Sequence, residues 1–136
     1  MSRADTQTLI QRYYEAFNRG DSAAMLAFLT DDVIHDVNQG ERRVGIDMFK
    51  AFNARMDHHY KERLENITVM VNEDGSRASA EFNVHGNYLN TDAGLPEAKG
   101  QTYVLPAGTF FVIRDGKIAR VTTYYNLTDW ITQVAE

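Results

Sequence analysis

The feature that most constrains this chain is a change in hydrophobic spacing near residue 64. Before that point apolar residues recur every three or four positions, as at Leu9, Tyr13 and Phe17, which is the spacing of one helix face. From Leu64 onward apolar and polar residues alternate, which is typical of strands with one buried face. Helices followed by antiparallel strands predict an α+β fold, with the helices packed on one face of a sheet.

The helical half predicts three helices and one short strand. Asp5 is expected to cap the first helix, and Gly20 is expected to end it in the left-handed conformation. A short second helix follows, and a third helix begins near Ile46. Between the second and third helices, the β-branched stretch 33–37 predicts a buried strand.

The second half predicts four long antiparallel strands in two hairpins, followed by a short C-terminal helix. The turn sequences "EDG" and "RDGK" mark the two hairpins. The polar stretch 90–101 lies between them, and loops of this length in compact domains often serve as lids or binding loops.

Both faces of the strand 103–113 are apolar. One face would carry Tyr103, Leu105, Phe111 and Ile113, and the other Val104, Phe110 and Val112. Because the helices cover only one face of a sheet, the second apolar face predicts a partner subunit, in a symmetric homodimer. The alternative is that the C-terminal helix covers this face within one chain.

Length and composition limit the classes of function. The 136 residues suit a single domain, 1–136. The absence of cysteine excludes disulfides and thiolate catalysis, and the net charge of −5 argues against a nucleic-acid partner. We expect no metal, since no HExxH-like spacing occurs. We expect no membrane span and no secretory signal either, and therefore a cytoplasmic protein.

Two adjacent polar residues, His35 and Asp36, interrupt the predicted strand 33–37. Neighbouring side chains on a strand point to opposite faces, so one of the two enters the interior. A buried ionised carboxylate is costly, but burial raises its pKa towards the range of a general base. A neutral imidazole serves the same role near pH 7 without such a shift. Either residue is therefore a candidate catalytic base.

The segments "YYEAFNRGDSAAMLAFLTDDVIHD", "VGIDMFKAF" and "RDGKIARVTTYYN" carry a family resemblance. In this order they resemble the nuclear transport factor 2-like superfamily, closest to its SnoaL-like polyketide cyclase and ketosteroid isomerase-related branch. The resemblance implies a cone, in which a curved sheet wraps three helices around a cavity. The superfamily includes isomerases, cyclases, dehydratases, epoxide hydrolases and binding modules, so its fold alone does not name a function.

The resemblance also implies site residues. Tyr13 corresponds to the isomerase tyrosine that hydrogen-bonds the substrate oxygen. Asp36 corresponds to its proton-shuttling aspartate when counted back from Gly45. Counted forward from "DD", the match is Val37, and His35 then faces the cavity. A slip of one residue turns every side chain of a strand to the other face.

Further positions are expected to contact the bound molecule. They are Asn38 in the turn, Phe52 on the third helix, Phe111 on the long strand, Tyr125 near the last strand's end, and Thr109. Thr109 stands where the isomerase has a second, protonated aspartate, or Gly108 does if the count slips by one. Steroid isomerisation by two acids is therefore not expected.

These residues predict a cofactor-independent enzyme acting on a small apolar molecule that contains a carbonyl group. His35 or Asp36 would remove a proton next to the carbonyl, and Tyr13 would hold the developing oxyanion. The reaction would be an isomerisation, a cyclisation or a dehydration. The alternatives are a dimeric module that binds a hydrophobic ligand without transforming it, and a scaffold whose outer sheet face recruits a partner.

Overall fold

The computed structural model describes residues 2–135, which form four helices and a six-stranded sheet. The helices are α1 (Arg3–Asn18), α2 (Ser22–Ala27), α3 (Ile46–His59) and α4 (Leu127–Val134). The strands are β1 (Leu29–Val37), β2 (Arg43–Val44), β3 (Tyr60–Val71), β4 (Arg77–Tyr88), β5 (Thr102–Arg114) and β6 (Lys117–Tyr125). The predicted α+β class is confirmed.

The sheet runs in the order β2-β1-β6-β5-β4-β3. All neighbours are antiparallel except β1 and β6, which pair in parallel with His35 opposite Val121. The first strand of the chain therefore lies beside the last. β1 begins at Leu29 rather than at residue 33, with an irregular register between Leu29 and Ile34.

Helix α1 is closed at both ends by specific residues. Ser2, rather than the expected Asp5, is the N-cap: its hydroxyl accepts from the Asp5 N–H at 3.1 Å, and Asp5 accepts from the Ser2 N–H at 3.1 Å. The prediction of the cap was wrong because Asp5 occupies the reciprocal position three residues on. Gly20, with φ of 73°, ends the helix as predicted.

Strand β3 begins at Tyr60, four residues earlier than the alternating pattern suggested. It pairs with β4 from Tyr60 opposite Tyr88 onward, and a bulge interrupts the pairing between Glu65 and Thr68. Asn66 sits in that bulge with φ of 57°. Bulges of this kind bend a strand and increase its twist, which helps to curve the sheet into a concave surface.

The concave face of the sheet holds α1 and the core. The Asn18 side chain joins α1 to β3: its amide donates to the Leu64 carbonyl at 3.0 Å, and its oxygen accepts from the Leu64 N–H at 2.8 Å. Ile10, Val33 and Phe111 are almost fully buried between the layers. The two hairpin turns form as predicted; Asp115 and Gly116 both have positive φ, which suits a two-residue turn.

The outer face of the sheet remains open. Met70, Val104, Phe110 and Tyr124 are each about half exposed there. Helix α4 does not cover this face. Its Trp130 is buried against the rings of Tyr60, Tyr88 and Tyr103, and its Gln133 amide binds the N–H and carbonyl of Val104 along the strand edge. Within residues 2–135, no helix combines the length and the apolar content that crossing a membrane requires.

Candidate functional site

A cavity of about 920 Å³ lies between the concave face of the sheet, α1, α3 and the loop after β4. More than half of its lining residues are aromatic or aliphatic, and the others include charged side chains such as Arg43, Arg55 and Glu62. Pockets of this size hold small organic molecules, whose orientation the polar groups determine. No three His, Asp or Glu side chains among the described residues are grouped as a metal site requires.

His35 is the residue of the doublet that faces this cavity. Its ring is 4% exposed and lies between Phe49 and Phe52, with each pair of ring centroids 4.6 Å apart. The Nδ1 atom is buried and has no hydrogen-bond partner among residues 2–135. A buried polar atom without a partner costs free energy, and such atoms in folded proteins call for an explanation.

The imidazole of His35 is neutral at physiological pH. Burial lowers its pKa from 6.5 to about 4, with a smaller contribution from the charge of Arg43, while Asp36 opposes the shift. A neutral ring without a hydrogen bond to fix its tautomer always has one unprotonated nitrogen. His35 therefore brings a weakly basic group into an apolar wall.

Asp36 faces away from the cavity. Its carboxylate forms a bidentate pair with the Arg42 guanidinium, at 2.9 and 2.8 Å, and these hydrogen bonds lower the pKa of Asp36. Asp36 does not line the cavity. The alternative that Asp36 enters the pocket as a base is therefore wrong, because the register of β1 turns its side chain to the outer face.

The first helix brings two tyrosines to the cavity wall, Tyr13 and Tyr14. Tyr14 and Thr109 share a hydrogen bond of 2.7 Å between their hydroxyls, which satisfies both groups. No described residue hydrogen-bonds the Tyr13 hydroxyl, and burial raises the pKa of Tyr13, so this hydroxyl stays protonated. Tyr13 thus lines the cavity as expected, and Thr109 is already paired with Tyr14, a partner that sequence analysis missed.

Of the other expected contact residues, two line the cavity and two do not. Phe52 packs on His35, and its ring also lies 4.6 Å from the guanidinium carbon of Arg43. Tyr125 lines the wall near α4. Phe111, by contrast, is 1% exposed and packs in the core against the rings of Tyr13 and Tyr14.

The expectation that Asn38 contacts the bound molecule is also wrong. Its side-chain amide donates to the Tyr125 carbonyl at 3.1 Å, and its oxygen accepts from the Tyr125 N–H at 3.3 Å. Asn38 therefore joins the ends of β1 and β6 at the surface. The neighbouring Gln39 does line the cavity, and its amide donates to the same Tyr125 carbonyl at 3.3 Å.

Sequence analysis missed Glu62. The earlier start of β3 turns Tyr60, Glu62 and Leu64 to the concave face, and Glu62 lines the cavity. The Tyr103 hydroxyl donates to Glu62 Oε2 at 2.5 Å. Burial raises the pKa of Glu62, and the bond from Tyr103 opposes that shift. The local sequence gave no signal for this role, because residues 61–63 are all charged and the alternation begins only at Leu64.

The loop between β4 and β5 contributes Asp92, Ala93 and Leu95 to the cavity wall. Asp92 fastens this loop: it binds the Arg55 guanidinium at 3.2 Å and accepts from the Tyr60 hydroxyl at 2.8 Å. On α3, Asn53 also lines the cavity, one helical turn after Phe49. Its Nδ2 is buried without a partner among the described residues, as is Nδ1 of His35.

Comparison with known proteins gives a consistent set of relatives. Residues 10–121 match the SnoaL-like domain family. Three solved structures, each provisionally assigned as a polyketide cyclase, are similar over nearly the whole chain. The protein from Pseudomonas putida KT2440 is 64% identical over 93% of this chain and 96% of its own, with a TM-score of 0.92.

The other two relatives are similar in extent. The protein from Xanthomonas campestris pv. campestris is 57% identical over 98% of each chain, with a TM-score of 0.95. The protein from Silicibacter sp. TM1040 is 53% identical over 100% of this chain and 99% of its own, with a TM-score of 0.96. No curated protein matches the chain.

Proposed function

Because the chain belongs to the SnoaL-like domain family, we propose that it is a cofactor-independent enzyme acting on a small apolar molecule that contains a carbonyl group. The molecule occupies the 920 Å³ cavity, and the reaction is a proton transfer of the isomerase, cyclase or dehydratase type. The provisional assignment of the three similar proteins as polyketide cyclases supports this proposal.

The observation that carries the proposal is the neutral, unpaired imidazole of His35 in an apolar wall. With its pKa lowered to about 4, its basicity is close to that of a carboxylate acting as a general base. Unlike a carboxylate, the neutral ring enters an apolar pocket without carrying a charge into it. His35 is therefore suited to remove a weakly acidic proton from a bound molecule.

The proposed chemistry begins with transfer of a proton from the carbon next to the carbonyl to a ring nitrogen of His35. The electrons of that C–H bond move into the carbonyl, and the resulting oxyanion accepts a hydrogen bond from the Tyr13 hydroxyl. Returning the proton to another carbon gives an isomer. Attack of the enolate carbon on a second carbonyl closes a ring, and the resulting alkoxide takes the proton back from His35. In a dehydration the enolate instead expels a hydroxyl group from the neighbouring carbon, and this group leaves as water with the proton from His35.

The test uses exchange of the protons next to a carbonyl for deuterium, followed by NMR in D₂O. The first probe is the tricyclic ketone 3,4-dihydrophenanthren-2(1H)-one. We expect catalysed exchange by the protein, and a loss of about 10²-fold or more in His35→Ala. Asp36→Asn is the matched control on the same strand, and should stay within about twofold because Asp36 faces outward. An equal loss of catalysed exchange in both variants, or no loss in either, would contradict the proposal.

A second candidate function is binding without chemistry. The observation in its favour is Thr109, which stands where the isomerase family has a second acid and whose hydroxyl is already paired with Tyr14. The chain has one tryptophan, Trp130, which lines the cavity. A binding module would give calorimetric binding of apolar ketones and a change in Trp130 fluorescence, with no catalysed deuterium exchange.

The open outer face of the sheet favours a homodimer. Phe110 and Tyr124, each about half exposed, lie edge to face there with ring centroids 5.7 Å apart, and Met70 and Val104 add further apolar surface. Continuous apolar surface of this kind marks protein interfaces, and a self-complementary face suits a two-fold axis.

A further inference from the structure

We infer that Glu62, held in place by the Tyr103 hydroxyl, forms a second polar subsite, at the α4 end of the cavity, that binds a hydroxyl group of the ligand. This inference rests on the proposed function only in that a small molecule occupies the cavity. It adds that this molecule carries a hydroxyl group, which is remote from the carbonyl next to which His35 removes a proton.

The subsite is built across three strands. Glu62 on β3 is opposite Gly86 on β4, and Gly86 is opposite Tyr103 on β5. The Tyr103 ring lies directly over Gly86, where an added Cβ would be 2.3 Å from Cζ of that ring. The absence of a side chain at residue 86 therefore lets the Tyr103 hydroxyl reach Glu62 Oε2 at 2.5 Å.

The Glu62 carboxyl retains an unused oxygen. Tyr103 donates to Oε2, and none of the other described residues hydrogen-bonds this carboxyl or forms an ion pair with it. Asp92, the acidic side chain that the loop contributes, differs because Arg55 and Tyr60 already occupy its oxygens. Glu62 is thus the carboxyl of this end of the cavity that has capacity for a ligand.

The chemistry of the subsite favours a hydroxyl group. A hydroxyl both donates and accepts, so it pairs with Oε1 whether or not the carboxyl is protonated. An anionic group would be repelled by the ionised carboxyl. Tyr60 and Trp130 line the cavity, with their rings edge to face and centroids 5.9 Å apart. A flat apolar body fits an aromatic wall of this kind.

The register of the sheet separates the two polar sites. His35 lies opposite Val121 on β6. Val121 is in turn opposite Phe111 on β5, eight residues along that strand from Tyr103, which holds Glu62. The two sites therefore lie at different levels of the curved sheet. A ligand that reaches both sites is therefore longer than a single ring.

The experiment compares two probes that differ by one hydroxyl group. They are 3,4-dihydrophenanthren-2(1H)-one and its 7-hydroxy derivative, which carries the hydroxyl at the opposite end from the ketone. By calorimetry we expect the wild-type protein to bind the hydroxylated probe about tenfold more tightly or better. Glu62→Ala should abolish that preference, and Glu62→Gln, whose amide still donates and accepts, should retain most of it.

The control is Glu65→Ala, on the same strand but bound to Arg63 and outside the cavity. It should leave the preference unchanged. A measurement without substitution is the ¹³C NMR signal of the Glu62 carboxyl, which should shift with the hydroxylated probe and not with the other. Thermal melting of Glu62→Ala checks that the variant folds.

The outcomes separate the two proposals. Equal affinity of the wild-type protein for the two probes, or a preference that survives in Glu62→Ala, would overturn the subsite. If deuterium exchange then still depended on His35, the proposed function would stand without it. Failure of both probes to bind the wild-type protein would count against the subsite and the proposed function together.

Discussion

At the scale of single residues, His35 shows how the surroundings of one side chain set its chemistry. Two phenylalanine rings and the charge of Arg43 disfavour the imidazolium, and the buried Nδ1 has no partner to offset its loss of water. The imidazole of His35 therefore makes an unfavourable contribution to the free energy of folding. Such contributions are typical of functional sites, where the group interacts with a bound molecule.

The pH dependence of stability tests this account. The His35 imidazole binds a proton near pH 6.5 in the unfolded chain but only near pH 4 in the folded protein, so the unfolded state binds more protons between these values. The free energy of unfolding should therefore fall as the pH is lowered from about 6.5 to 4, by about 3 kcal/mol from this residue.

The measurement is urea unfolding of the wild-type protein and His35→Gln at several pH values across that range. The variant should have a flatter profile. His58→Gln, which changes an exposed histidine at the end of α3, is the control and should follow the wild type. Parallel profiles for the wild type and His35→Gln would contradict the pKa shift.

Alternation along a strand predicted that one member of the His35–Asp36 pair is buried, but the sequence did not determine which one. Two ways of counting differed by one residue, and β1 indeed has an irregular register between Leu29 and Ile34. Only pairing with β6 fixes which face each side chain takes. The roles of Asn38 and Phe111 were missed for a similar reason, because their partners are distant in the chain.

At the scale of elements, the boundary between α3 and β3 decided which residues enter the cavity. Met56 and Tyr60 keep a helical spacing, so the sequence pattern extends the helix to Tyr60. Pairing of Tyr60 with Tyr88 on β4 ends the helix at His59 instead. Tertiary pairing thus outweighs local periodicity here, and it turns Glu62 to the cavity.

The alignment of Glu62, Gly86 and Tyr103 predicts a large effect of a single methyl group. Gly86→Ala should push the Tyr103 ring off Glu62, since the new Cβ would lie 2.3 Å from Cζ of that ring. We expect a destabilisation of about 1–3 kcal/mol, and loss of any preference for the hydroxylated probe. Gly108→Ala is the control, because its Cβ would meet only a carbonyl oxygen at 3.6 Å.

Urea unfolding and calorimetry with the probe pair measure both effects of Gly86→Ala. If Gly86→Ala had the stability of the wild-type protein and still preferred the hydroxylated probe, the movement of Tyr103 would have no consequence. That result would contradict the alignment as the basis of the subsite.

At the scale of the whole molecule, the change of hydrophobic period was sufficient to predict the α+β class and the order of its elements, apart from the two-residue strand β2. It was not sufficient to predict the parallel pairing of β1 with β6, because these strands lie near opposite ends of the chain and no local pattern links them. The family resemblance supplied the cone. The bulge at Asn66, which helps to curve the sheet, had no clear sign in the sequence.

The proposed homodimer is tested at the same scale. Phe110→Lys places a charge in the centre of the apolar outer face, where burial against a second copy would be costly. In sedimentation experiments at micromolar concentration we expect the wild-type protein to be a dimer and Phe110→Lys a monomer. Met48→Lys, at an equally exposed apolar position on α3, should remain dimeric. A monomeric wild-type protein would contradict the dimer.

The parallel neighbour of β1 also has a consequence for synthesis on the ribosome. The strand that aligns His35, Lys117–Tyr125, is translated long after His35 itself. Until those residues leave the exit tunnel, β1 lacks that partner and the pocket has no complete wall. The nascent polypeptide therefore stays ligand-free until β6 has emerged. A truncation before β6 should abolish binding even though every polar residue of the pocket except Thr123 and Tyr125 has been made.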